Sequence, residues 1–215
     1  VVACYAENNI SVVGKTICNE GREMSWLRME RYLDGPAHQP VLAFVPMMCQ
    51  HCGNAPCEPV CPVYATYHSD DGIDSMVYNR CVGTRYCSNN CSYKVRRFNW
   101  FKYSYPEPLN WQLNPDVTLR EVGVMEKCSF CIQRIKEGTN KAKDLGRPVK
   151  DGEINPACAS SCPTKAINFG NLLDPESVVA QHHESKRSYK VLDVELNTQP
   201  AIAYLARVKN HPVGV

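Results

Sequence analysis

Cysteines 49, 52, 57 and 61 stand in the run Cys49-Gln-His-Cys52-Gly-Asn-Ala-Pro-Cys57-Glu-Pro-Val-Cys61-Pro62. The spacing C-x2-C-x4-C-x3-C-P is longer in its middle interval than the C-x2-C-x2-C-x3-C-P run that ligates iron–sulfur cubes. Three thiolates on one tight loop can hold three corners of such a cube. The fourth, followed by proline, is carried away toward a second cluster. A chain patterned this way is expected to move single electrons.

The other cysteines, thirteen in all among 215 residues, repeat the pattern with departures. Cys81-Val-Gly-Thr84-Arg-Tyr-Cys87-Ser-Asn-Asn-Cys91 aligns with the shorter run at three of its four positions, with Thr84 where a cysteine belongs. Cys128-Ser-Phe-Cys131 and, after 26 residues, Cys158-Ala-Ser-Ser-Cys162-Pro163 form a third copy with an insertion in its loop. Val1-Val2-Ala3-Cys4 reads as the end of a C-x3-C step whose remaining ligands precede residue 1, so a longer chain is expected. Cys18 is left over and is expected to be a small buried residue.

Two-cluster ferredoxins exchange their fourth ligands between motifs. Crossing adjacent motifs assigns Cys49, Cys52, Cys57 and Cys91 to one [4Fe–4S] cluster and Cys61, Cys81 and Cys87 to a second site. Nesting the outer motifs assigns Cys4, Cys128, Cys131 and Cys158 to another [4Fe–4S] cluster. Cys162 is then the local ligand of a fourth, whose other ligands lie off the chain. A threonine hydroxyl is a poor ligand for iron beside a thiolate, so the corner facing Thr84 is expected to be vacant, leaving a [3Fe–4S] cluster. The alternative is a full cube with oxygen or water at that corner. Disulfides and zinc knuckles account less well for two C-x3-C-P steps.

Composition excludes little else. At 44% apolar and 21% charged residues the chain is of ordinary globular type, and its net charge of +2 argues for neither nucleic acid nor an anionic lipid surface. The longest apolar candidate, 41–48, contains Pro46 and falls far short of the ~20 residues that span a bilayer, so no direct membrane span is expected. No signal-peptide pattern is recognised.

The expected fold class is α+β: two ferredoxin-like, βαββαβ-derived cluster-binding modules, one inserted in the other, with long loops and an extended tail. Residues 1–40 form the first part of the outer module, 41–100 the inserted module, 101–127 a connecting loop, 128–170 the second part of the outer module, and 171–215 the tail. Asp71-Gly72 between two short β-prone runs predicts a hairpin, and the spacing of Ile132 and Ile135 predicts a helix through 133–143. Lys94, Arg96 and Arg97 read as a solvated basic edge. His51 lies in a cluster loop, where it could tune a potential rather than ligate. Lys127 reads as an exposed neighbour of Cys128, and His182-His183 as surface.

Four such motifs, one inserted between halves of another, resemble the four-cluster iron–sulfur subunits of the molybdopterin oxidoreductase family. Cys81-Val-Gly-Thr-Arg-Tyr-Cys87-Ser-Asn-Asn-Cys91, the Tyr-Lys-Val-Arg-Arg-Phe-Asn-Trp-Phe that follows, and Gly123-Val-Met-Glu-Lys-Cys128-Ser-Phe-Cys131 are similar to the iron–sulfur part of the large B-type subunit of alternative complex III. That resemblance implies three [4Fe–4S] clusters, one of them completed from upstream, and one [3Fe–4S] cluster. It also implies an upstream molybdopterin-enzyme-like domain or subunit, a quinol-binding integral membrane subunit and a multihaem cytochrome c subunit. The implied place is the extracytoplasmic (periplasmic) face of a bacterial membrane. The expected role is a non-catalytic relay from quinol oxidation to a cytochrome or terminal acceptor. The alternative is the relay subunit of a molybdopterin reductase or dehydrogenase such as polysulfide reductase.

Overall fold

The computed structural model describes residues 1–208; the end of the expected tail, 209–215, lies outside the described residues. In chain order the elements are α1 (Val2–Glu7), α2 (Gly14–Asn19), β1 (Arg28–Asp34), β2 (Val41–Met47), β3 (Thr66–His68), β4 (Asp74–Met76), α3 (Tyr86–Asn90), β5 (Arg97–Phe98), β6 (Met125–Glu126), α4 (Ile132–Asp144), α5 (Ala157–Ser160), α6 (Val178–Glu184), β7 (Ser188–Tyr189), α7 (Asp193–Leu196) and β8 (Tyr204–Leu205). The strands form four antiparallel pairs, β1–β2, β3–β4, β5–β6 and β7–β8. The mixed α/β character and short strands agree with the sequence reading.

Isolated two-stranded hairpins are marginal in water, so the order of this chain comes from what packs between them. Its main buried cluster has seventeen residues, seven of them cysteines (4, 49, 52, 57, 87, 91 and 128), alongside Met24, Trp26, Met47, Met48 and Met125. Sulfur-bearing side chains outnumber branched hydrocarbon ones in it. The predicted hairpin at Asp71-Gly72 is present as β3–β4, with Gly72 at φ +73 in the turn. The predicted helix is α4, which carries an i,i+4 pair between Glu137 and Lys141 on its exposed side.

The two ends of the expected outer module meet. α1 packs on α5, and Arg134 of α4 ties both, pairing with Glu7 at 2.6 Å and donating to Ser160 Oγ at 3.2 Å. β5 pairs Arg97 with Glu126 and Phe98 with Met125, joining the segment after Cys91 to the segment before Cys128. Residues 198–201 of the tail form a strap over the first cysteine loop. Gly53 N donates to Gln199 O at 2.8 Å, Asn54 N to Thr198 O at 3.1 Å, and Ala201 N to Gln50 O at 2.9 Å. Tyr204 Oη donates to the carbonyl of Pro46 at 2.8 Å, satisfying an edge position of β2.

Several sequence expectations are corrected. Cys18 is exposed, because α2 is a surface helix with no buried residue. Arg96 and Lys127 are buried, at 4% and 1% exposure, because each finds a buried carboxylate rather than water. Arg97 is largely buried against Glu23 and the carbonyl of Ser25. Only Lys94 of the basic triplet is exposed. His182 and His183 sit in the last turn of α6 and are half-buried rather than free on the surface.

Candidate iron–sulfur sites

The first recess is lined by Cys49, Cys52, Cys57 and Cys91, with Asp74, Tyr93, Val95 and Arg96 around them, and encloses about 290 Å3 counted out to open solvent. Three of the sulfurs come from the loop between β2 and β3; the fourth follows α3. All four residues are buried. Burial pushes the Cys49 and Cys57 thiols up, and it lifts Cys52 to about 12 with help from the neighbouring Cys49 and Cys91 sulfurs.

The second recess, about 280 Å3 on the same measure, is lined by Cys61, Cys81 and Cys87, with Gly83, Thr84, Met76 and Met125. Met125 N donates to Cys81 Sγ at 3.4 Å. Burial also raises Cys87, although Arg96 opposes it through its charge and a hydrogen bond. Burial acts against ionisation of Cys61 as well, but backbone N–H groups of Val63, Ala65 and Thr66 outweigh it and hold this thiol below its ordinary range. Gly83 has φ +76, and a Cβ there would lie 2.5 Å from Gly123 O, so only glycine lets the loop close on the β5–β6 side.

A third group of sulfurs forms where α1, α5 and the Cys128 loop meet. Asn8 Nδ2 reaches Cys4 Sγ at 3.8 Å and Cys131 Sγ at 3.6 Å, and Ala157 N donates to Cys131 Sγ at 3.4 Å. Burial, then the sulfurs of Cys131 and Cys158, lift the Cys4 thiol to about 12. Burial, then the Cys4 sulfur, also push the Cys128 thiol up. Cys162 stands apart from these groups, part-exposed. Its thiol is held low by Thr164 Oγ1 at 3.4 Å and by the backbone, with Ala166 N donating to Sγ at 3.3 Å.

Cys61 and Cys162 share one cradle. In Cys61-Pro62-Val63-Tyr64-Ala65 and Cys162-Pro163-Thr164-Lys165-Ala166, the residue three positions on is left-handed (φ 50 at Tyr64, φ 51 at Lys165). The N–H one further on donates to the sulfur, at 3.2 Å in the first and 3.3 Å in the second. The C-x3-C-P step thus ends in a backbone nest that suits an anionic sulfur.

Sequence reasoning missed the charge network between the sites. Asp74 Oδ2 lies 3.5 Å from Cys57 Sγ and 3.9 Å from Cys49 Sγ. Arg96 Nη2 lies 3.4 Å from the same oxygen, Lys127 Nζ 3.9 Å away. Burial works against the charge on Arg96, but Cys57, Asp74 and Cys87 more than offset it. Lys127 also donates to the carbonyls of Asp74 and Cys128. Adjacency to Cys128 was a usable signal for Lys127; Asp74 had none, because the β3–β4 hairpin brings it in from outside every cysteine run.

The donor set fits iron–sulfur cages. All thirteen thiols are free of disulfides. Among the described residues no three His, Cys, Asp or Glu side chains converge on one ion-sized point; the sulfurs stand around recesses instead. Buried thiols that burial keeps protonated ionise readily only against a cationic group, which cluster iron supplies.

Residues 40–105 match the 4Fe-4S dicluster domain family. Over 214 residues the chain is 40% identical to the iron–sulfur cluster-binding subunit of menaquinone reductase from Nitratidesulfovibrio vulgaris, covering 96% of this chain and 82% of that one. It is 34% identical over 208 residues to iron–sulfur subunit 1 of an Hdr-like menaquinol oxidoreductase from Archaeoglobus fulgidus, covering 95% and 71%. It is also 39% identical over 164 residues to the iron–sulfur subunit of a putative dimethyl sulfoxide reductase from Halobacterium salinarum, spanning 76% of this chain and 55% of that one.

Proposed function

The chain belongs to the iron–sulfur electron-transfer subunits of quinol and molybdopterin oxidoreductases, and on that premise we propose a one-electron relay serving quinol oxidation. Electrons pass from a quinol-binding integral membrane subunit, through this chain, to a multihaem cytochrome c or another terminal acceptor, as in alternative complex III. An upstream molybdopterin-enzyme-like domain completes the assembly, on the periplasmic face of the membrane. No described helix is long and apolar enough to cross a membrane itself.

The reading rests on one observation above others. Four thiols from two separate stretches of chain, Cys49, Cys52 and Cys57 on one loop and Cys91 after α3, ring a recess without pairing with one another. We assign them a [4Fe–4S] cluster, and Cys4, Cys128, Cys131 and Cys158 a second. Cys61, Cys81 and Cys87 take a [3Fe–4S] cluster with Thr84 at the vacant corner. Cys162 serves a further [4Fe–4S] cluster completed off the chain. The two-module organisation, with 41–100 inserted between 1–40 and 128–170, belongs to the same reading.

The clusters supply reversible one-electron oxidation over a range set by cluster type, charge, hydrogen bonding and exposure. The residues of this chain contribute ligation, exclusion of water and electrostatic tuning. Asp74 sets a negative charge beside Cys57, and Arg96 and Lys127 compensate it. Thr66 Oγ1, 2.9 Å from Arg96 Nη1, helps hold the guanidinium between the two recesses.

A second reading, a relay subunit of a molybdopterin reductase such as polysulfide reductase, draws support from the dimethyl sulfoxide reductase relative. Iron and acid-labile sulfide analysis followed by an EPR redox titration of the intact complex tests the relay. Signals from more than one cluster type, reducible by a quinol analogue, are expected. Protein without iron would end it, and quinol-inert clusters alongside an active molybdoenzyme partner would favour the second reading.

A further inference from the structure

His51 and Phe130 occupy equivalent places in two cysteine loops. Each directly precedes the second cysteine of a C-x2-C pair, Cys52 in one and Cys131 in the other, and each is left-handed, at φ 45 and φ 53. Their rings stack across the gap between the loops, with centroids 3.9 Å apart and planes 28° apart. Phe169 packs edge-on against Phe130 at 5.3 Å, fixing the pair from the far side. His51 is 1% exposed, yet neither ring nitrogen has a hydrogen-bond partner among the described residues. An imidazole carries at least one N–H whatever its charge, and a donor buried without a partner forfeits the hydrogen bond that water would give it. Packing alone would be met at this position by a second phenylalanine.

We propose that His51 donates its ring N–H to a sulfur of an iron–sulfur cluster in one of the two sites it separates, the Cys49 site or the Cys128 site. The inference rests on the cluster reading above. A hydrogen bond to cluster sulfur stabilises the reduced, more negative state and so raises the potential. Stacking on Phe130 aims the ring, and His51 becomes a tuning residue shared between neighbouring clusters.

The test is pulsed EPR of the intact complex, partly reduced and then fully reduced, with 15N-histidine incorporated. A histidine 15N coupling on one cluster signal is expected; the stage of reduction at which it emerges tells which site carries it. The coupling should survive in His68→Gln and vanish in His51→Phe, which keeps the stacked aromatic. The midpoint potential of that same cluster should fall in His51→Phe. Where His51→Phe does not accumulate, His51→Gln serves the same subtraction. Normal cluster signals lacking any histidine coupling, or a coupling that persists without His51, would overturn the proposal and leave the relay standing. Protein devoid of iron and cluster signals would sink the relay itself.

Discussion

Asp74 and Arg96 face one another with both side chains almost sealed from water, Arg96 Nη2 lying 3.4 Å from Asp74 Oδ2. The pair stands between the two recesses, with Asp74 lining the first and Arg96 acting on Cys57 in one and Cys87 in the other. Removing Arg96 leaves the buried Asp74 carboxylate only Lys127, 3.9 Å away, as counter-charge, and breaking a buried pair costs up to about 3–5 kcal/mol. Arg96→Met is therefore expected to destabilise the protein by up to that amount in chemical denaturation, and to lower the potentials of both adjoining clusters in a redox titration. An unchanged denaturation midpoint would show that the pair is not coupled to the fold.

Thr84 supplies a sharper test of cluster type. On the proposed assignment, Thr84→Cys supplies a thiolate where a threonine oxygen faces the vacant corner. Iron content should rise by about one atom per chain, and the EPR signal of the oxidised three-iron state should disappear. Should the wild-type protein, fully loaded, lack that oxidised signal, the three-iron assignment is lost.

Gly83→Ala should damage the same site through the backbone. The new Cβ would meet Gly123 O at 2.5 Å from a φ of +76. Strain of this kind costs about 1–3 kcal/mol, and cluster loss should be confined first to the Cys61, Cys81 and Cys87 site. Equal loss of all clusters would mean that Gly83 supports the whole fold instead.

Glu7 links stability to pH. The hydrogen bond from Arg134 holds its carboxyl below the usual range, ahead of the opposing effect of burial. A depressed carboxylate contributes stability above its unfolded pKa, near 4.3, and loses it as pH falls through the lower folded value. The pair is partly solvated, so its worth is about 0.2–1 kcal/mol. The stability gap between wild type and Glu7→Gln should be full at pH 7 and close at acid pH; a gap independent of pH would argue against the link.

Iron removal should do more than silence electron transfer. Seven of the seventeen residues in the main buried cluster are cysteines, and metal-binding free energy in such sites is folding free energy. Chelation is expected to abolish a cooperative thermal transition followed by circular dichroism. An apo-protein that melts as sharply as the loaded one would contradict a sulfur-centred core.

The cysteine spacing by itself determined that sulfurs would be grouped in short runs, because ligation demands residue types at short fixed intervals. The hairpin at Asp71-Gly72 and α4 were legible for a similar local reason: turn chemistry and helical periodicity act over a few neighbours. Tertiary structure alone decided where charge sits. Asp74, Arg96 and Lys127 come from a hairpin, a strand approach and a loop that no local pattern connects, and each is buried only because the others are present. The strap of Thr198, Gln199 and Ala201 over the first cysteine loop, and the stack of His51 on Phe130, have the same origin. Long-range burial selects partners by three-dimensional proximity, and a linear sequence does not record that proximity in any interval.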